Sequence, residues 1–317
     1  MTKLSIIVAT YNRHESLRQM LGPLLKVETK DDFSYEIVVV DNNSTDDTRR
    51  TVESFQPQSG VQLRYEREEQ QGKPFALNRG IQAAKGDILV FTDDDVTVPH
   101  DWLWQLYQCF HETGCDGVGG RVLPVFTPDT PQWIRDNPVK LAGGVVIYDY
   151  GEGTSPHVSG RFHFIGANFA FKREVFDDCG MFRTDLIFDG RIALGEDTEF
   201  IERLIAKNKK LMYCGKALIW HPFDPSRLEF RHMARWHVAV GRFDALREIT
   251  KGENFVYFSG IPRYLIKGII VDALAFIVNC ANRLSFMNVW RSFFRKVGMI
   301  KQYRDFHNQQ SVTKTGA

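Results

Sequence analysis

Residues 87–99 read DILVFTDDDVTVP. Four apolar residues, Ile88 to Phe91, form a short buried-strand run, and Thr92 leads into three adjacent carboxylates, Asp93, Asp94 and Asp95. Packing does not require three neighbouring negative charges, which repel one another. The run is either a solvated turn or a place where something positive binds. Alone it would read as a turn or as the cap of the next helix. Its position directly after a buried strand favours binding.

The flanking segments repeat the pattern. LSIIVA (4–9) is a buried-strand run, and a helix is expected from His14 to about Lys26. YEIVVVD (35–41) is a second strand ending at Asp41. NNSTDDTRRTVESF reads as a turn, a cap and a helix, since Ser and Asp accept bonds from free backbone N–H groups. VQLRYER is a third strand, KPFALNRGIQAAKG a helix closed by Gly86, and HDWLWQLYQCFHETG a helix with apolar residues at helical spacing. Strands alternating with helices imply an α/β fold with a mostly parallel sheet. In such sheets ligands bind at the carboxyl ends of strands. Tyr11, Asp41 and Asp93 to Asp95 all fall there, so they are expected to share one cleft. Hard divalent cations such as Mg²⁺ or Mn²⁺ take carboxylate oxygens. Alternate residues, Asp93 and Asp95, can reach one ion while Asp94 points elsewhere.

Composition narrows the class. The 317 residues are 43% hydrophobic and 25% charged, which suits one large globular domain, or one domain with an appendage, and excludes a disordered chain. Five cysteines without a CxxC suggest reduced thiols in a cytosolic setting. SIIVA is too short for the apolar core of a signal peptide. The body shows no basic groove with interleaved aromatics, which argues against nucleic acid.

The net charge of +1 hides an asymmetry. Residues 261–304 hold eight Lys or Arg against Asp272 alone, a local +7 that leaves −6 for the rest. IPRYLIKGIIVDALAFIVNCANRL is strongly apolar, but Lys267 and Asp272 interrupt it. It lacks the ~20 unbroken apolar residues of a spanning helix. SFMNVWRSFFRKVGMIKQYR mixes Trp290, Phe293 and Phe294 with cations. That composition fits helices lying at an anionic membrane surface. The alternatives are a packed C-terminal helical pair or a dimer face.

SIIVATYNR, EIVVVDNNSTDDT, GKPFALNRGIQAAKGDILVFTDDDV, GANFAFKREVFDDCGMF and GEDTEF occur in this order between about residues 4 and 200. Together they resemble the family-2 inverting glycosyltransferases of GT-A fold. The resemblance implies a Rossmann-like, mostly parallel sheet flanked by helices, with a C-terminal helical extension. It implies a glycosyltransferase domain over 1–225, with a donor half to about 120 and an acceptor half over about 121–225. An extension over 226–304 and a disordered tail over 305–317 would follow. A nucleotide-sugar donor, UDP-linked by the family's commonest usage, would meet a lipid-linked or polysaccharide-precursor glycan, with Mn²⁺ or Mg²⁺ present. Donor-side residues would be Ala9, Tyr11, Asp41, Lys73, Asp93 and Asp94, with the Tyr11 region and Asp41 at the nucleobase and Lys73 near the base or diphosphate. Asp95 would bind the metal, with Asp93 and His221 as further ligands. Asp197 would be the catalytic base of a hexosyl transfer, with Gly166, Asn168 and Glu196 on the acceptor side. The family often has Arg at the position of Leu77, so Lys73 or Arg79 would supply that charge here.

The chemistry agrees with these roles. A leaving nucleoside diphosphate gains charge that a metal stabilises, and the acceptor hydroxyl needs a carboxylate base. Asp197 opens the helical stretch EDTEFIERLIAKN, where a helix N-terminus favours the charged carboxylate. By themselves Glu196 and Asp197 read as an ordinary acidic first turn. His221 in LIWHPF, where a strand meets a loop, reads equally as a metal ligand or a packed histidine. RFHFIGANFAFKR (161–173) is expected to line the acceptor side, and TPDTPQWIRDNP to form a nearby loop. Two further readings stand beside this one. DDDVT also fits the Asp-x-Asp-x-Thr signature of haloacid-dehalogenase-like phosphatases, although that family carries it on the first strand. A non-catalytic, membrane-associated scaffold is the other. The expected location is cytoplasmic, peripheral on the cytoplasmic face of a membrane.

Overall fold

Valine, isoleucine and leucine runs long enough to be covered on both faces build the sheet that carries the site. In the computed structural model, residues 2–56, 60–141, 143–157, 164–188 and 192–315 are described. Residues 161–163 of the expected acceptor stretch lie outside them. The chain divides into two compact units. One holds residues up to 185 together with 196–223, and the other holds 186–195 and everything from 224 onward.

The first unit alternates as the periodicity predicts. In order it contains β1 (Thr2–Thr10), α1 (His14–Leu24), β2 (Phe33–Asp41), α2 (Thr48–Phe55), β3 (Gln62–Arg67), α3 (Lys73–Ala83), β4 (Ile88–Asp93) and α4 (Trp102–Thr113). Then come β5 (Gly117–Val125), α5 (Gln132–Arg135), β6 (Thr154–Pro156), β7 (Asn168–Lys172) and α6 (Glu174–Cys179). The second unit's hairpin β8 (Ile187–Phe188) and β9 (Ile192–Ala193) intervenes before α7 (Glu196–Ala206) and β10 (Leu211–Pro222). One eight-stranded sheet runs β3-β2-β1-β4-β7-β5-β10-β6. Pairing is parallel from β3 to β4 and between β5 and β10. Strand β7 is antiparallel to both β4 and β5.

Register places the site. Ala9 of β1 pairs with Val40 and with Asp93, and Thr10 pairs with Asp41, so three strand ends finish together. Val38 to Val40 and Leu89 to Phe91 are fully buried. Phe91 is ringed by Phe169, Phe171, Phe176 and Phe182 at centroid distances of 5.3 to 6.3 Å. Phe200 of α7 joins the same cluster, 5.0 Å from Phe176 and 4.8 Å from Phe182. One turn before Phe200 stands Asp197, so aromatic packing fixes where that carboxylate sits.

The second unit contains α8 (Phe230–Thr250), the hairpin β11 (Tyr257–Phe258) and β12 (Ile261–Pro262), α9 (Arg263–Asn279) and α10 (Arg283–Thr315). Residues 305–315, expected to be disordered, continue α10. Several groups expected to meet a membrane are instead used internally. Trp290 is 5% exposed and packs 4.0 Å from Phe230 and 4.4 Å from Phe294. Lys296 pairs with Asp272, Arg295 with Asp244, and Arg291 donates to His237. Asp272, which interrupts the apolar stretch in sequence, is therefore an internal ion-pair partner.

Helices α8 and α10 cross with their backbones in contact. A methyl group at Gly241 would stand 1.8 Å from the Arg295 carbonyl oxygen, and one at Gly298 would stand 2.0 Å from that of Val238. In an exposed helix Gly→Ala gains about 1 kcal/mol. Here the clash reverses the sign. Gly298→Ala should cost about 1–3 kcal/mol through overpacking and lower the melting temperature by several degrees in a thermal scan.

Candidate functional site

The three aspartates leave β4 in different directions. Asp93 accepts from Lys73 Nζ at 2.6 Å. Asp94 is 4% exposed and accepts from Thr10 Oγ1 at 2.7 Å and from Arg13 at 3.1 Å. Burial pushes its carboxyl up to about 6, against the opposing pull of Arg13 and Thr10. This corrects its expected donor-binding role: Asp94 faces inward and ties β4 to the end of β1. Asp95 receives Arg13 on Oδ2 at 2.8 Å, while its Oδ1 is buried without a hydrogen-bond partner.

That orphaned oxygen faces His221. The backbones of Thr97 and Trp220 exchange hydrogen bonds of 2.8 and 2.9 Å, which brings the next residue, His221, over the aspartates. Nε2 of His221 lies 3.6 Å from Asp95 Oδ1 and 3.9 Å from Asp93 Oδ2. Nδ1 lies 2.8 Å from the Pro222 carbonyl oxygen. A carbonyl can only accept, so Nδ1 donates, and Nε2 is the nitrogen turned toward the carboxylates. One ligand atom each from Asp93, Asp95 and His221 lie within 4.8 Å of one another. Two carboxylate oxygens, one of them unsatisfied, and one imidazole nitrogen suit Mn²⁺ or Mg²⁺, so these residues fit the implied ion.

Lys73 and Asp197 approach the other end of the site. A methyl group at Gly166 would lie 3.6 Å from Lys73 Nζ and 3.7 Å from Asp197 Oδ2. Glycine leaves that space open. Asp197 accepts from the Gly166 N–H at 3.3 Å through Oδ2 and from the Thr198 N–H at 2.7 Å through Oδ1. Burial of Lys73 opposes its charge, but Asp93 and then Glu196 outweigh it and hold the amine above its usual range. Burial first, then the charge of Asp197, pushes the Glu196 carboxyl up to about 7. Leu77 is buried in α3 and Arg79 is bound to Glu66 at 2.7 Å. Of the two cations considered for this role, Lys73 is therefore the one at the site.

Two residues expected at the site are buried and bonded within the protein. Asp41 is buried, accepting from Tyr65 Oη at 2.7 Å and from the Ser44 N–H at 2.8 Å. It anchors the loop after β2 through Ser44. Asn168 is fully buried. Its amide accepts from Trp102 Nε1 and donates to the carbonyls of Arg121 and Ala217, so it braces the sheet and does not line an acceptor cleft. Tyr11 is exposed, and Ala9 is partly exposed beside Asp93.

Sequence reasoning missed Arg13 and the asparagines that lock the loops. Asn12 accepts from the Thr45 N–H at 2.8 Å, and Asn42 accepts from the Gly72 N–H at 2.8 Å. The usable signals were a cation directly after a strand end that faces an acidic one, and Asn in the left-handed region, which Asn12 and Asn43 adopt.

Glycosyl transferase family 2 matches residues 5–180 by its family model. The succinoglycan biosynthesis protein ExoM of Rhizobium meliloti is 25% identical over 240 residues, 75% of this chain and 73% of its own length. A glucosyl-dolichyl phosphate glucuronosyltransferase of Haloferax volcanii is 24% identical over 233 residues, 72% of each chain. The fold is similar to that of a Pyrobaculum calidifontis mannosyltransferase solved with GDP-mannose and Mn²⁺. The TM-score is 0.59 at 18% identity, covering 96% of this chain and 88% of that one. The family match sets aside the phosphatase reading of DDDVT.

Two outcomes follow from the geometry. Asp95→Asn should remove most of the Mn²⁺-dependent rise in melting temperature produced by a nucleoside diphosphate, and excess chelator should do the same to the native chain. The second concerns Glu196. A carboxyl raised from its ordinary 4.5 to about 7 on folding loses stability as pH climbs through that window, because the folded state resists ionisation. Glu196→Gln removes the loss, so it should gain on the native chain between about pH 4.5 and 7 in thermal melts.

Proposed function

The chain belongs to glycosyl transferase family 2, and from that we propose a specific reaction. It transfers a hexose from a nucleotide-sugar, UDP-linked by the family's commonest usage, to a hydroxyl of a lipid-linked or polysaccharide-precursor glycan. The observation that carries this reading is convergence: Asp93, Asp95 and His221 meet at one point, with Lys73 on Asp93 and Asp197 beside Gly166. The relatives' names support the acceptor class, one being a succinoglycan biosynthesis protein and one a glucosyl-dolichyl phosphate glucuronosyltransferase.

A bound Mn²⁺ or Mg²⁺ supplies Lewis-acid stabilisation of the leaving diphosphate. Asp95, His221 and Asp93 hold it. Lys73 adds a fixed positive charge on the donor side, where it costs no reorganisation as charge develops. Asp197, in the first turn of α7, takes the proton of the acceptor hydroxyl. Its 3.3 Å contact with Gly166 is long, so an incoming hydroxyl can displace it. One displacement by that hydroxyl inverts the anomeric carbon. We assign the enzyme to the cytoplasm, peripheral on the cytoplasmic face of a membrane, where a lipid-linked acceptor presents its glycan.

A panel of nucleotide-sugars with Mn²⁺ identifies the donor by thermal stabilisation. With that donor, Asp197→Asn should leave nucleotide affinity near native while transfer falls by about 10²–10⁴, the usual worth of a general base. Loss of donor affinity instead, or a product with retained anomeric configuration, would overturn the scheme.

A further inference from the structure

Helix α9 carries an unpartnered apolar face. Ile270, Val271, Leu274, Ile277 and Val278 recur at helical spacing along one side of it. Leu274, Ile277 and Val278 are 61%, 74% and 82% exposed. The same side begins with two exposed cations, Arg263 and Lys267, and exposed Arg283 follows the turn into α10. No Asp or Glu lies on it. Asp272, the one acid of α9, is buried on the opposite side with Lys296. Nearby Glu248 receives the hydroxyls of Tyr264 and Tyr303.

Soluble surfaces rarely leave so continuous an apolar stripe in water. Charge decides what covers it. A second copy paired in parallel would set Arg263 and Lys267 against their own counterparts, and one paired antiparallel would set them against the aliphatic C-terminal end of α9. Neither arrangement offers these two cations an acid on the stripe. An anionic lipid surface satisfies both halves of the stripe, since its headgroups take the cations and its acyl boundary takes the aliphatic side chains. From Lys267 to Val278 the helix rises about 16 Å. Entering obliquely by its C-terminal end, it would bury the last two turns while its first turn stays among headgroups. No helix among the described residues is long and apolar enough to cross a membrane.

We propose that α9 is an oblique membrane-inserting wedge for an anionic leaflet, seated by Leu274, Ile277 and Val278 and held at headgroup depth by Arg263 and Lys267. This deepens the membrane assignment above and rests on it. It also replaces the aromatic rings of α10 with the aliphatic side of α9 as the inserted surface.

The full chain is tested against vesicles of phosphatidylglycerol and phosphatidylcholine, with phosphatidylcholine alone for comparison. The native protein should pellet with the anionic vesicles. The triple substitution Leu274→Gln, Ile277→Gln, Val278→Gln should lower the vesicle partition coefficient at least tenfold. Its melting temperature and its nucleotide-induced shift should be unchanged, because all three side chains are exposed. Cys280, the exposed thiol just beyond α9, provides a second readout. An environment-sensitive label there should shift to the blue on anionic vesicles, and a Cys280→Ser control should not. Binding that survives the triple substitution, or a Cys280 label that stays in water while the protein binds, would overturn the wedge alone. Failure of the native chain to bind either vesicle would end the membrane assignment with it. A dimer in solution that the triple variant dissociates, without vesicle binding, would make the stripe a protein–protein face.

Discussion

Three consecutive carboxylates at the end of β4 must be kept from repelling one another, and the rest of the site follows from how that is done. At an effective dielectric of 20, two unit charges 4 Å apart differ from isolated ones by about 4 kcal/mol. The fold separates the three electrically. Asp94 turns inward to Thr10 and Arg13, Asp93 is held by Lys73, and Asp95 is half-satisfied by Arg13. What remains is one Asp95 oxygen without a hydrogen bond, facing Nε2 of His221. With Asp93 these groups form a cluster that could hold an ion. The parallel register of β1 to β4 serves this arrangement, since Thr10 and Arg13 arrive from the end of β1 and Lys73 opens α3 after β3.

The sheet was legible because its strands are buried on both faces, so runs such as Ile37 to Val40 and Ile88 to Phe91 leave little room for a helical reading. The converging acids were legible because β/α alternation places every strand's carboxyl end on one side. Orientation was not. Asp41 and Asn168 carry the right chemistry at the right strand positions, yet each faces a partner distant in sequence, Tyr65 for one and Trp102 for the other. A one-residue change of facing in a strand turns a ligand contact into a brace, and no local pattern encodes that choice. His221 was ambiguous for the opposite reason. Its role depends on the Thr97–Trp220 bridge, a pairing between segments more than a hundred residues apart.

The C-terminal region shows the limits of composition. A local charge of +7 and a high aromatic content suggested a surface, but ion pairs and ring packing consume many of those groups inside the second unit. The apolar side chains left in water are aliphatic and sit on a different helix. Bulk composition reports how many charged and apolar groups a segment carries. It does not report which of them the fold has already spent on its own packing, as the Gly241–Gly298 crossing and the Asp272–Lys296 pair both illustrate.

The reversed strand β7 has a consequence for how the chain is made. Until it arrives, β4 has a partner only on its β1 side, and its other edge is a row of unpaired backbone groups on one of the most apolar strands of the sheet. Roughly 75 residues separate the end of β4 from Asn168, so at about 5–20 residues per second a ribosome takes about 4–15 s to deliver the strand that closes the gap. During that interval the nascent N-terminal half presents a template for pairing with other chains. The antiparallel strand that completes the site is thus also the one that covers the open edge of β4.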